Sequence, residues 1–166
     1  MKKLWLMGLL FCAGVVCAQT KTHKVTITND KKPIFQLTTT GRTEVTPFGD
    51  KTVVQTPEMF LHIWIQKEGA SVTGTIARVA SVITNDVEEF KAKKQHQVKL
   101  GQLQGTLISG SGVEADDGDD GTAEVVVFKV GGRVVVACIH GERMGKAEHK
   151  AMLKTLSTAR PVKPSL

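Results

Sequence analysis

The chain has 166 residues and a formal charge of +6, with 22 lysines and arginines against 16 acids, and only 5% of it is aromatic, with no tyrosine. That length suits one domain with one substantial core. The basic excess is scattered apart from the run Lys91 to Lys94, and with so few aromatic rings to stack bases it argues against nucleic-acid binding.

The first eighteen residues, MKKLWLMGLLFCAGVVCA, set Lys2 and Lys3 before a short apolar run that ends in small residues at Ala18. This is the pattern of a secretory leader cleaved near Ala18, so the expectation is a periplasmic or secreted protein. Acylation of Cys17, as in a lipoprotein, is the less favoured alternative, because valine rather than a small residue precedes it. The apolar run is shorter than the roughly 20 residues that span a bilayer, and no transmembrane segment is expected after it. Cleavage there leaves Cys138 as the only thiol, which excludes an internal disulfide.

Residues 19–32 are polar and lysine-rich, with KVTIT (Lys24 to Thr28) as their one alternating stretch, and read as a linker or a loosely held edge strand. An ordered domain is expected over residues 33–160. PIFQLTT opens it, and KTVVQT (Lys51 to Thr56) has the β-branched content of a strand, preceded by turn residues in PFGD. MFLHIWIQ (Met59 to Gln66) is apolar nearly throughout, as in a strand covered on both faces. From Ser71 to Phe90 the spacing of Val72, Ile76, Val79, Ala80, Ile83, Val87 and Phe90 predicts one amphipathic helix with Ser71 as its N-cap. On that reading the acids of DVEEF (Asp86 to Phe90) lie on its solvated side. GQLQGTLISGSG, TAEVVVFKV and RVVVACIH then read as strands, the last two joined through Gly131-Gly132 as a tight antiparallel hairpin. A second helix is expected over Glu148 to Ala159, with His149, Met152, Leu156 and Ala159 on one face, stopped by Pro161 and Pro164 ahead of a tail at 161–166.

This order, with IFQLTT opening the domain, FLHIWIQ before VTGTIARVASVITNDVEEF, then LGQLQGTLIS, AEVVVFKVGGRVVVACIH and a closing helix, resembles the Mog1/PsbP-like fold in layout and apolar pattern. The resemblance covers roughly residues 33–160. It implies an α+β domain with an antiparallel sheet sandwiched by helices (α/β/α), and a small noncatalytic binding or assembly factor of unknown ligand. No functional residue transfers with it. The implied partner is another envelope protein or an envelope polymer.

Two stretches carry candidate chemistry. EADDGDDGTAE (Glu114 to Glu124) offers Asp116, Asp119, Asp120 and Glu124 as oxygen ligands for calcium, but counted as an EF-hand loop from Asp116 it places Val127 where the closing glutamate belongs. A solvated turn between strands, with no cofactor, is the favoured reading. ACIHGE alternates Cys138, His140 and Glu142 on one side of a strand, which would suit an activated thiol of a hydrolase-type enzyme or a transition-metal site. The favoured reading makes Cys138 an inert core residue and His140 a rim residue. His62, set between Leu61 and Ile63, adds a third possible member, and convergence of His62, His140 and His149 would favour a metal or acid–base site. Motifs of nucleophile elbows, zincins and paired-cysteine redox centres do not occur in residues 19–166.

Overall fold

The structure is a computed structural model that describes residues 21–142 and 144–162. The leader with Cys12 and Cys17, and the end of the tail with Pro164, lie outside the described residues. In chain order the elements are β1 (Thr22–Asn29), β2 (Lys32–Thr40), β3 (Glu44–Phe48), β4 (Lys51–Thr56), β5 (Met59–Ile65), α1 (Val72–Ile76), α2 (Val79–Ile83), β6 (Val87–Leu100), β7 (Leu103–Glu114), β8 (Asp120–Val130), β9 (Arg133–Gly141), α3 (Lys146–Leu156) and β10 (Arg160–Pro161).

Two meanders, β3 to β5 and β6 to β9, join into one seven-stranded antiparallel sheet in the order β3-β4-β5-β9-β8-β7-β6. The joint is the pairing of β5 with β9, where His62 lies opposite Cys138 and Trp64 opposite Val136. Strand alternation splits the apolar residues of this sheet between two cores. Leu61, Ile63, Val135, Ala137 and Ile139 pack with Val25, Ile27, Phe35 and Leu37 of the β1–β2 hairpin and with Met152 and Leu156 of α3. Trp64, Val134, Val136, Cys138 and Val125 pack with Val79 and Ile83 of α2. The expectation of an α+β domain built on an antiparallel sheet therefore holds at that level. The layer over the first face, however, is a β-hairpin combined with one helix, where two helical layers were expected.

KVTIT belongs to β1, the outer strand of a second sheet ordered β1-β2-β10, and its Val25 and Ile27 are buried opposite Leu37 and Phe35. The start of the tail also takes part, since Pro161 pairs with Phe35. The Gly131-Gly132 hairpin forms as expected, with both glycines at positive φ.

The helix expected over residues 71–90 is corrected. Ser71 caps its start, accepting from the Gly74 amide at 3.0 Å, but the helix breaks at Arg78, whose φ of −118° and ψ of 15° are not helical. Gly74 and the run of β-branched residues supply little intrinsic helicity to hold five turns together. Beyond Ile83 the chain becomes β6. Val87 and Phe90 sit three apart, which on a regular strand would send them to opposite faces. A bulge between Glu88 and Lys91, with Glu89 at a φ of 48°, turns both into the α2-side core. Gly110 makes room for this, because a β-carbon there would stand 2.6 Å from the Phe90 ring.

Phe128 is fully buried and meets Phe35 edge-on at 6.2 Å, tying the large sheet to the β1–β2 hairpin. In urea melts Phe128→Ala should cost about 3–5 kcal/mol, while Val45→Ala, at an exposed site, should stay within about 0.5 kcal/mol. Equal effects would contradict this description of the core.

Candidate functional site

The buried ionisable residues of the α2-side face are gathered at one place. On β5, Phe60, His62 and Trp64 alternate toward that face, and on β9 Val134, Val136, Cys138 and His140 do the same. With His62 directly opposite Cys138, His140 becomes its diagonal neighbour, and the two imidazoles meet edge to face with centroids 4.8 Å apart.

A carboxylate holds each ring. Asp86 Oδ2 lies 2.6 Å from Nδ1 of His62, and Glu114 Oε2 lies 2.9 Å from Nδ1 of His140. The other Asp86 oxygen accepts from the Lys51 ammonium, which also sits 5.6 Å from the Trp64 ring and 5.3 Å from the Phe48 ring. All five side chains are only 6% to 14% exposed. Main-chain bonds fix the support, since Asp86 donates to Ile83 and its carbonyl accepts from Ala115. Glu114 reaches His140 across β8, where Gly121 leaves space; a β-carbon on Gly121 would stand 2.6 Å from Glu114 Oε1.

Electrostatics follow from this packing. Burial alone would raise the Asp86 carboxyl, but hydrogen bonds from His62 and Lys51 outweigh it and hold the group below its ordinary value. Cys138, fully buried in the same row, has its thiol pushed up by burial and by the negative charges of Asp86 and Glu114, which leaves it without the thiolate a nucleophile needs.

Of the three residues alternating in ACIHGE, only His140 enters this cluster. Cys138 is packed in the core, and Glu142 stands at the exposed end of the strand with Asp117 and Asp119. There a hydrogen bond with Asp119 and the charge of that group raise the Glu142 carboxyl. His62 and His140 converge as the sequence allowed, while His149 does not join them; its Nδ1 lies 2.5 Å from Glu124 Oε2. Glu124 stands between Ala123 and Val125, both in the α2-side core, so alternation sends it to the other face.

That same bond disperses the calcium set. Asp116, Asp119, Asp120 and Glu124 are not gathered, because Glu124 turns to His149 and Asp119 groups with Asp117 and Glu142 around the exposed β7–β8 turn. Asp86, expected on a solvated helix face, is instead buried at the centre of the cluster. Lys51, Asp86 and Glu114 carried no sequence signal, since each finds its partner at least 24 residues away. Two groups among the described residues have the composition to hold a cation: His62, Asp86 and His140, whose ligand atoms lie within 4.8 Å of one another, and the exposed Asp117, Asp119 and Glu142.

No family model matches the chain, and no curated protein matches it. Sixteen solved chains resemble it in structure. One is a 1.50 Å crystal structure of a protein from Bacteroides thetaiotaomicron VPI-5482, with a TM-score of 0.53 and 15% identity over 78% of this chain and 45% of that one. This chain therefore spans less than half the length of that neighbour, and at such identity the likeness shows the fold alone.

The lowered carboxyl of Asp86 predicts a pH dependence. Its stabilising contribution is complete above the unfolded carboxyl value of about 3.9 and is lost as pH falls through the lower folded value. Thermal melts of the wild type should therefore lose stability on acidification below about pH 4, with a shallower loss in Asp86→Asn. At neutral pH the same variant should cost about 3–5 kcal/mol, because the Lys51 charge stays buried without its partner. An unchanged acid slope would contradict this assignment.

Proposed function

We propose that the chain is an exported, noncatalytic binding or assembly module that holds an extended segment of another envelope protein against the free edge of β3. The observation carrying this reading is the contrast between the two edges of the large sheet. The β6 edge presents Lys91, Lys93, Lys94 and Lys99, all exposed, and two irregularities of register, devices that discourage a further strand. The β3 edge has no lysine and no break of register, and its one such device is Pro47. All five of its residues are exposed, its register against β4 is regular, and it displays Val45 and Phe48, the latter 65% exposed.

Added strands draw affinity from main-chain bonds and specificity from alternate side chains. Pro47 withholds one donor from β3, so pairing would run along Glu44 to Thr46, with Phe48 and the exposed Phe60 as apolar contacts beside it. Other observations support the reading. The inert thiol of Cys138 removes one route to covalent catalysis, the leader-like MKKLWLMGLLFCAGVVCA supports export, and the antiparallel sheet with its short helices accords with a Mog1/PsbP-like layout. No helix among the described residues is long and apolar enough to cross a membrane.

A photo-crosslinking residue placed at Thr46 and expressed in the native host should give one discrete protein adduct, which Val45→Lys abolishes. The same residue at Lys93 on the opposite edge should give none. Equal adducts from both edges, or an adduct indifferent to Val45→Lys, would overturn the proposal.

A further inference from the structure

The buried cluster on the α2-side face has a property that an ion-paired core does not require. Each imidazole spends Nδ1 on a carboxylate, His62 on Asp86 and His140 on Glu114. In metalloproteins a carboxylate on Nδ1 fixes the ring and its tautomer and leaves the Nε2 lone pair for a metal, as Glu114 does for His140, whereas His62 Nδ1 and Asp86 Oδ2 face each other and can both ligate once a metal replaces the proton between them. His140 Nε2 is buried and has no hydrogen-bond partner, so that lone pair is unsatisfied. Beside it, the ligand atoms of His62, Asp86 and His140 lie within 4.8 Å of one another.

The donor set points the same way. Beside the imidazoles, the charged groups are one ammonium, Lys51, and two carboxylates, Asp86 and Glu114, in a place where the side chains are almost closed to water. Two nitrogens and one carboxylate oxygen suit zinc, cobalt, nickel or copper, whereas calcium and magnesium prefer oxygen throughout.

We propose that His62, His140 and Asp86 form a binding site for a divalent first-row transition-metal ion of the zinc and cobalt class, with Glu114 orienting His140. Asp86 is shared between this role and its pairing with Lys51, whose ammonium holds Oδ1 and places a positive charge beside the metal. The proposal does not rest on what occupies the β3 edge, although Lys51 packs beside Phe48 of that strand.

The test is titration of the chain isolated from its host, stripped with a chelator, using Co2+ as a spectroscopic probe and Zn2+ as its competitor. One equivalent of Co2+ should develop visible d–d absorption that Zn2+ displaces. His62→Gln or His140→Gln should abolish it, Glu114→Gln should weaken binding by about 10–100-fold, and Lys51→Met should tighten it. His149→Gln and Asp119→Asn, which touch the other titratable clusters, should leave it unchanged.

Should the cluster variants fail to fold, the unmutated protein still decides. Bound Co2+ should shift the imidazole proton resonances of His62 and His140 and leave those of His23, His96 and His149 in place. Absence of saturable Co2+ absorption, its survival in both histidine variants, or paramagnetic shifts centred on His149, His23 or His96 would overturn the proposal.

Discussion

The antiparallel pairing of β5 with β9 is the contact on which the other features of this molecule depend. It joins two meanders that would otherwise end in separate sheets, and its register, His62 opposite Cys138, decides which side chains of both strands look toward α2. Because strand side chains alternate, a slip of one residue would exchange the two faces. Leu61 and Ile63 would then leave the core they share with Phe35 and Leu37, and His62 would leave its carboxylate. The register is held by apolar burial on both faces at once, a stronger constraint than a one-sided sheet provides.

Within that frame the polar cluster is costly. Five ionisable side chains are taken almost wholly out of water, and apolar residues of similar volume often stabilise such a position equally well or better. Each member is nevertheless supported. Lys51 lies beside two aromatic rings, the Asp86 backbone is bonded on both sides, and glycine at position 121 keeps a path open for Glu114. A network supported this closely, with one imidazole nitrogen left unsatisfied, is what the proposed metal site would require. It contrasts with the Asp117, Asp119 and Glu142 group, which is exposed on a turn and has water to satisfy it.

The strands with β-branched or alternating sequences could be read directly. KTVVQT, FLHIWIQ, AEVVVFKV and RVVVACIH all form strands, with the Gly-Gly hairpin between the last two, and Ser71 caps a helix start. What failed was the stretch after Ile83, and the reason is physical. Val87 and Phe90 keep a helical spacing because a bulge, not a helix turn, brings both inward, and the remainder of β6 is an edge strand with almost no buried residues to reveal its period. The site was legible only in part. His62 and His140 stood out as histidines within apolar strands, and their shared face follows from alternation once β5 and β9 are known to pair. Asp86 and Glu114 could not be identified in that way, because their partners are 24 and 26 residues distant and are fixed by topology.

The register of β5 on β9 can be tested with one engineered thiol. Residues directly opposite on antiparallel strands have α-carbons about 4.5–5.5 Å apart, inside the range a disulfide accepts. With Cys12 and Cys17 replaced so that Cys138 is the only other thiol, His62→Cys should close a disulfide under mild oxidation in the folded state, and Ile63→Cys, which faces the opposite core, should not. A bridge from position 63, or none from position 62 in a folded protein, would contradict the arrangement that assembles the site.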